Sequence, residues 1–260
     1  MDIDSEAVRS ILERIAVRGE DDGEMFTNTT RVDAIAECLK ESCWKLYHDG
    51  DLAKIYVQRD FDLEKPVVVV SSHVDMVAER CYAKCDDELW KGSFDNLITN
   101  AVIVACMKEN AFNGNVIVAF TGDEEAEDGF GGADEVAETL SEQGISVEYI
   151  VVTDVTGEGW NYRKAFTIEN VLPEDEELRQ QRMVESLQEA VAEIDNNPCV
   201  IVDGDPDEAW EYDEYELPCC SVCLPCKGDM HSEEGVEIRS AGIKAYAEAL
   251  AAVANHHASE

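Results

Sequence analysis

The chain has 260 residues and carries 58 acidic against 20 basic side chains, for a net charge of -38. Such an excess of negative charge argues against nucleic acid as a partner, because a polyphosphate would be repelled. Hydrophobic residues make up 45% of the chain, which predicts a globular protein, and no apolar run approaches the roughly 20 residues that cross a membrane.

The N-terminal segment "MDIDSEAVRS" is acidic and lacks the basic-then-apolar layout of a signal peptide. We therefore expect a soluble, cytoplasmic protein that has no membrane partner. Its acidity is similar to that of salt-adapted proteins, whose hydrated carboxylates keep them soluble in brine. Lys and Arg are equal at ten each, however, and ten Cys are many for such a protein. Composition alone leaves a halophilic origin open.

Helical and strand patterns alternate along the first half of the chain. A cluster of Thr residues precedes the second helix, and an Asp-Gly pair marks a tight turn between two strands. The predicted elements here are a helix over 5–17, a helix over 31–45 capped by Thr29 or Thr30, a hairpin over 45–60, a buried strand over 65–72, and an apolar helix over 96–110.

The alternation continues in the second half. The predicted elements are a strand over 115–122, a helix over 131–144 ended by Gly144, a strand over 147–155, a polar helix over 176–194, strands over 198–204 and 215–225, and a helix over 233–257. This order predicts an α/β fold, a three-layer α/β/α sandwich around a mixed, largely parallel sheet. No linker or repeat divides the chain, so we expect one domain over residues 1–260.

Four of the cysteines form the cluster "CCSVCLPC", in which two Cys-x-x-Cys spacings overlap. The cluster could bind a metal or an iron–sulfur group. We favour a buried strand ended by Pro225, because overlapping ligands without a distant second pair fit zinc poorly. Without a secretion signal, the cysteines are expected to be thiols. The residues concerned are Cys219, Cys220, Cys223 and Cys226.

The three most apolar strands share a feature that charge density does not predict, since each ends in residues of metal-ligand type. The first ends in His73-Val74-Asp75, the second in Asp123-Glu124-Glu125, and the third in Thr153-Asp154. The carboxyl ends of parallel strands meet at one edge of a sheet. We therefore expect these side chains to converge on one crevice.

The chain has five histidines. We expect His48, in the hairpin turn, and His256 and His257, near the C-terminus, to lie at the surface. His73 and His231 remain, and two histidines beside convergent carboxylates suit zinc, or else cobalt or manganese. Asp95 precedes the apolar helix, where its spacing leaves open whether it caps that helix or binds metal.

The order of these residues resembles the co-catalytic zinc aminopeptidases and their carboxypeptidase and deacylase relatives. The flanking segments "SSHVDMV", "FDN", "TGDEEAEDGFGGA" and "LPCKGDMHSEEGVEI" agree with that resemblance, which runs from about Val67 to the last helix. Intervals of 22 residues from His73 to Asp95 and 77 from Asp154 to His231 are similar to those of the compact, single-domain branch.

The resemblance implies an exopeptidase that uses two Zn²⁺ ions to remove N-terminal residues from short peptides. It implies that Asp95 bridges the two ions, that His73 and Asp154 are the other ligands of one ion, and that Glu125 and His231 are the other ligands of the second. It also implies that Asp75 holds the His73 ring and that Glu124 is the general base. It also implies a cis peptide bond after Asp95. The expected partner is a peptide or a small acylated amino acid.

Two alternatives remain open. One is a deacylase or dipeptidase with the same metal centre, and the other is a metal-binding homologue without activity. The segment 156–218 departs from the family's motifs, so its aromatic and basic residues could line a substrate pocket or pack in the core. These are Trp160, Tyr162, Arg163, Trp210, Tyr212 and Tyr215. In the loop that follows the predicted strand over 115–122, we expect Glu127 and Asp128 at the acidic surface, and we expect Asp123 to support the loop through hydrogen bonds.

Overall fold

A computed structural model of the chain describes residues 3–19, 29–126, 130–172, 177–202 and 204–256. The helices in these ranges are α1 (Ser5–Ile15), α2 (Thr29–Leu39), α3 (Leu97–Lys108), α4 (Gly131–Glu142), α5 (Glu177–Ala190), α6 (Ala209–Glu214) and α7 (Ser240–Ala254), with a 3-10 turn at Trp160–Tyr162. The strands are β1 (Trp44–Asp49), β2 (Ala53–Gln58), β3 (Val67–His73), β4 (Ala83–Cys85), β5 (Leu89–Gly92), β6 (Val116–Thr121), β7 (Val147–Thr156), β8 (Thr167–Glu169), β9 (Cys199–Ile201), β10 (Cys219–Gly228) and β11 (Val236–Arg239).

The described strands form one mixed sheet, in which the main order is β1-β2-β6-β3-β7-β10-β11-β5-β4. Outside this order, β8 pairs with β10, and β9 pairs with β8. The four central strands β6, β3, β7 and β10 run parallel to one another. Both margins of the sheet are antiparallel. Every residue of β3 and β6 is buried, as expected for strands with covered faces and unbroken β-branched runs.

Helices cover the two faces of this sheet. Side chains of β3 alternate between them, so that Val68 and Val70 pack with α1, α2, α3, α5 and α7. Val67 and Val69 pack on the opposite side with α4 and α6. The predicted α/β/α arrangement is therefore confirmed. None of the described helices is both long and apolar enough to cross a membrane.

The second helix differs from its prediction at both ends. It begins at Thr29, so Thr29 and Thr30 lie inside it and the prediction that one of them caps it is wrong. It ends at Leu39 because Trp44 already pairs with Gln58 in the hairpin. Pairing with a neighbouring strand outweighs a helical pattern that continues in the sequence.

The C-terminal helix also begins later than predicted. Val236–Arg239 forms β11, which pairs antiparallel with both β10 and β5, and the helix starts at Ser240. Its apolar residues alternate with charged ones, which suits a strand once two partners are present. The predicted last residue, His257, lies outside the described residues.

Two smaller predictions about this half of the sheet and the hairpin are wrong. Pro225 does not end β10, which continues to Gly228. Pro225 lies between the residues that pair with β8 and those that pair with β11, so its missing N–H interrupts neither ladder. His48 lies in β1 and not in the turn, and its Nε2 is 2.6 Å from Glu135 Oε1.

Candidate metal centre

Three central strands carry polar side chains to one edge of the sheet. His73 is the last residue of β3 and pairs with Thr121, the last residue of β6. Glu124 and Glu125 lie three and four residues after the end of β6, and Asp154 lies two residues before the end of β7. Because these strands are parallel, their carboxyl ends meet here, and the predicted convergence is confirmed.

The imidazole of His73 lies among three carboxylates. Its Nε2 is 3.2 Å from Asp95 Oδ1, 3.7 Å from Asp154 Oδ1 and 3.8 Å from Glu124 Oε2. The side chain is only 2% exposed. Among the described residues, Nε2 finds no hydrogen-bond partner of good geometry although it is buried. A buried ring nitrogen in this situation fits a metal ligand, since an unpartnered polar atom otherwise costs stability.

His231 approaches the same carboxylates from the loop after β10. Its Nε2 is 3.6 Å from Asp95 Oδ2 and 3.4 Å from Glu125 Oε2. The other oxygen of Glu125 is buried and has no hydrogen-bond partner among the described residues. Asp95 thus presents one carboxylate oxygen to His73 and the other to His231.

Asp75 and Asn100 hold the His73 side of the centre in place. Asp75 Oδ1 lies 3.2 Å from His73 Nδ1, and its other oxygen accepts a hydrogen bond from the Glu125 N–H at 3.0 Å. The Asn100 amide donates to the His73 carbonyl at 2.7 Å. A carboxylate behind a histidine fixes the tautomer that presents Nε2 as a ligand. Asn100 was not singled out in the sequence, because an amide within an apolar helix has no distinctive spacing.

The peptide bond between Asp95 and Asn96 is cis, so this expectation from the resemblance is confirmed. Asn96, and not Asp95, occupies the N-cap position of α3. The Asn96 side-chain amide donates to the Thr153 carbonyl and to Ser72 Oγ. Asp95 therefore does not cap α3, and its carboxylate is directed to the two histidines.

The spacing of these atoms fits zinc. Tetrahedral zinc has bonds of about 2.0–2.2 Å to N and O ligands, which places its ligand atoms about 3.3–3.6 Å apart. The separations from Nε2 of His73 and His231 to the carboxylate oxygens run from 3.2 to 3.8 Å. Ligand-type atoms of His73, Asp95 and Glu125 lie within 4.8 Å of one another, and so do those of His73, Glu124 and Asp154.

The electrostatics of the group also favour a cation. Burial raises the pKa of Glu125 to about 8 and that of Asp154 to about 7, and the charge of Asp95 adds to both shifts. Burial likewise raises the pKa of Glu124 well above its ordinary value. Burial opposes a charge on His73, but Glu124 and the other surrounding acids outweigh it and raise the His73 pKa. Carboxylates crowded away from water repel one another, and divalent cations relieve that repulsion.

A cavity of about 670 Å³ opens from this centre. Asp95, Glu124, Asp154 and His231 line it at one side. Further acids line the same cavity, and no pattern in the sequence points to them because they lie on short segments without periodicity. They are Glu158, Glu169, Asp205 and Asp207.

The cysteine cluster forms a strand, as the sequence analysis favoured. Cys219, Cys220, Cys223 and Cys226 all lie in β10 and are buried, free thiols. Burial raises the pKa of Cys226 to about 12. Side chains alternate between the two faces of a strand, so consecutive positions cannot converge on one ion. Cys223 alone among the four lines the cavity.

The aromatic residues of 156–218 pack or lie at the surface, and none of them is among the residues that line the cavity. Tyr212 is fully buried, and Trp210 Nε1 donates to the Val171 carbonyl. The Arg239 guanidinium stacks over the Trp160 ring at 3.6 Å. The packing alternative is therefore the one that the described residues support.

Asp123, in the loop after β6, has a strained backbone conformation. Asp123 has a φ of 68°, a conformation that Asp and Asn adopt more readily than most residues. Its side chain lies close to Gly131, where a side chain would meet Asp123 Oδ2 at 2.6 Å. The expected hydrogen bonds from Asp123 to the loop are absent among the described residues. Glu127 and Asp128 lie outside the described residues.

A buried acid outside the centre stands in a hydrogen-bonded network. Glu208 is 1% exposed, and its Oε2 accepts from Ser71 Oγ at 3.0 Å. Ser71 Oγ also lies 2.8 Å from the hydroxyl of the buried Tyr212. Burial raises the pKa of Glu208 to about 7. The folded protein therefore binds this proton more tightly than the unfolded chain does.

We expect Glu208→Gln to stabilise the protein at pH 8 by up to about 3 kcal/mol. Because the folded pKa is raised, stability is lost as pH rises from the unfolded value of 4.5 through about 7. Gln cannot ionise, so the variant does not lose this stability as pH rises. At pH 5 the parent protein has lost little of it, so the stabilisation by Gln should be much smaller there. Urea unfolding at both pH values measures it. Glu142→Gln, at an exposed helix position, is the control, and an equal gain at both pH values would contradict the prediction.

Comparison with known proteins identifies the family. Residues 70–256 match the model of peptidase family M20/M25/M40. This span contains all seven predicted site residues, from His73 to His231. No curated protein matches the chain by sequence.

Several solved structures share the fold. An aminopeptidase of the archaeon Desulfurococcus kamchatkensis superposes with a TM-score of 0.73 at 12% identity, covering 97% of this chain and 95% of that one. Aminopeptidase PepT from Bacillus cereus has a TM-score of 0.71 at 12% identity, covering 98% and 99%. The LapA aminopeptidase of Legionella pneumophila has a TM-score of 0.67 at 15% identity, covering 100% and 73%. At these identities, the likeness establishes the fold alone.

Proposed function

The chain belongs to peptidase family M20/M25/M40, and from this premise we propose that it is a metal-dependent aminopeptidase acting on short peptides. The observation that carries the proposal is the divided centre, in which Asp95 faces His73 with one oxygen and His231 with the other. Such an arrangement suits two adjacent divalent ions. We propose that residues 1–260 form one catalytic domain.

We assign a ligand set to each ion. His73 and Asp154 would hold one ion and Glu125 and His231 the other, while Asp95 would contribute to both sets and Asp75 would fix the His73 ring. This set of nitrogen and oxygen donors suits Zn²⁺, with Co²⁺ or Mn²⁺ as substitutes. When bound, the ions polarise the scissile carbonyl and acidify a water molecule.

Glu124 is the proposed general base. Its side chain is 13% exposed, lies 3.8 Å from His73 Nε2, and lines the cavity where a substrate enters. Glu124 takes the proton of the attacking water and then delivers it to the leaving amine. No other carboxylate is assigned to this step, because the remaining acids of the centre are assigned to the metals or to His73.

The negative charge of the cavity favours substrates with a free, positively charged N-terminus. Acids line both the metal side and the remainder of the cavity, so a substrate's α-ammonium group is attracted to it. An N-acylated amino acid lacks that positive charge. This observation is our reason to place the aminopeptidase above a deacylase with the same centre.

We expect the zinc-loaded protein to hydrolyse aminoacyl-p-nitroanilides and to leave N-acetylated amino acids intact. Elemental analysis of the same sample should give two zinc ions per chain. Removal of the ions by a chelator should abolish hydrolysis, and their return should restore it.

Two other outcomes would change the assignment. Cleavage of acetylated substrates alone would identify a deacylase and overturn the aminopeptidase assignment. Two bound ions without hydrolysis of either class would indicate a metal-binding protein without activity.

A further inference from the structure

The cavity also carries acids for which the proposed hydrolysis has no use. Glu158, Glu169, Asp205 and Asp207 line it, and no Lys or Arg is present among the described lining residues. Asp207 is accounted for structurally, because it accepts hydrogen bonds from the Ala209 N–H and from Ser221. Glu169 is the other buried acid of this group.

Glu169 is 5% exposed and lies in the short strand β8. Its Oε1 accepts a hydrogen bond from Thr167 Oγ1 at 2.6 Å. Its Oε2 faces Gly204, where any side chain would come within 3.3 Å of that oxygen and 2.8 Å of Val171 Cγ1. Gly204 itself lines the cavity. The absence of a side chain there leaves room beside the Glu169 carboxylate.

The sheet fixes how far this carboxylate lies from the metal ligands. Asp154 in β7 pairs with Cys223 in β10, and Cys223 pairs in turn with Thr167 in β8. Neighbouring strands lie about 4.8 Å apart, so Thr167 is about 10 Å from Asp154. The Glu169 carboxylate is hydrogen-bonded to Thr167. A substrate residue held at the metals can therefore extend a long side chain to Glu169.

The charge of Glu169 is not compensated within the described residues. Burial raises its pKa, and the charges of Asp207 and Glu158 raise it further, while the hydroxyls of Thr167 and Thr156 oppose the shift. No ion pair to Glu169 exists in the described parts of the chain. A buried carboxylate with hydroxyl partners and no cation is stabilised when a cationic ligand binds.

We propose that Glu169 selects substrates whose N-terminal residue is lysine or arginine, an inference that rests on the proposed aminopeptidase function. The ammonium or guanidinium group pairs with Glu169, and the exposed acids Glu158 and Asp205 add attraction. The methylene stem of the substrate side chain has apolar surface to cover, since Phe130 and Met230 also line the cavity.

The overall negative charge of the protein could also favour lysine substrates, but that preference would be lost at high salt. A net charge of -38 attracts any cation, but at 1 M salt the screening length is about 3 Å and exposed charges act only at contact. An ion pair with a carboxylate that is 5% exposed is screened much less. Salt therefore separates the two explanations.

The test compares lysyl- and norleucyl-p-nitroanilide, which share the linear stem and differ in the terminal ammonium. We expect kcat/KM to favour lysine by about 10–100-fold, in accordance with a charged hydrogen bond, and the preference to persist at 1 M NaCl. Glu169→Gln should reduce the preference about tenfold or more. Glu142→Gln removes the same charge from an exposed position on α4 and should leave the preference unchanged.

Binding provides a second readout. Calorimetry on the zinc-loaded protein should show tighter binding of L-lysine than of L-norleucine, with the difference reduced in Glu169→Gln. No lysine preference in the unmodified protein, or one that disappears at 1 M NaCl, overturns the proposal. If only acetylated substrates are cleaved, the aminopeptidase assignment fails, and acetyl-lysine against acetyl-norleucine then decides the role of Glu169 separately.

Discussion

Replacing Glu124 by Gln is expected to lower kcat by about 10²–10⁴-fold, the usual contribution of a general base. Gln matches Glu in size and can still form hydrogen bonds in the cavity, but it cannot take a proton from water. Since Glu124 is not among the residues assigned to the metals, the variant should retain both ions. Turnover of leucyl-p-nitroanilide and metal content are to be measured on the same preparation.

The matched control for this experiment is Asp123→Asn. Asp123 lies beside Glu124 in the loop after β6, does not line the cavity, and has a positive φ that Asn tolerates. We expect this control to keep both its turnover and its metal. Unchanged turnover in Glu124→Gln would refute the base assignment, and loss of metal from it would show that Glu124 is a ligand instead.

Asp95→Asn is expected to release at least one of the two ions and to lower kcat/KM about 10²-fold or more. Asp95 is the one residue whose two oxygens face both histidines, and the amide nitrogen of Asn cannot bind a cation. Loss of a residue that merely supports a ligand costs about 10–100-fold in metal affinity, so loss of a shared ligand should cost at least as much. Zinc content after dialysis at fixed free zinc measures the effect.

Asp123→Asn is again the control, since it makes the same chemical change close to the centre. Retention of two zinc ions in Asp95→Asn with the parent's affinity would show that the ions do not share this carboxylate. Loss of both ions, with the fold preserved by circular dichroism, would show that binding of one ion depends on the other.

Local sequence determined the central part of the fold. The strands β3, β6 and β7 each contain a short apolar run rich in β-branched residues, and such runs are typical of buried strands. Ligand-type residues at or near the ends of these strands made His73, Asp75, Glu124, Glu125 and Asp154 candidates for the site. The resemblance of these motifs to the family also implied a cis peptide bond after Asp95, and the structure contains it.

The ends of elements were predicted less well because they depend on distant partners. β11 was assigned to a helix, and only its pairing with β10 and β5 makes it a strand. Pro225 was expected to end β10, but its position between two pairing partners is a property of the sheet order. The alternation of apolar and charged residues in β11 permits a strand, but only the order of the sheet supplies its partners.

By itself, the sequence indicated candidate metal ligands at the ends of three strands, because hydrophobic periodicity and residue type are local properties, whereas the roles of Asp95 and His231 were implied by the resemblance of the motifs to a known family. Only the tertiary structure decided that Asp95 faces two histidines 158 residues apart along the chain, and that Glu169 lines the same cavity as Asp154. The physical reason is that sheet order is set by packing among distant segments. A three-residue strand such as β8 acquires its place from β10 and not from its own pattern.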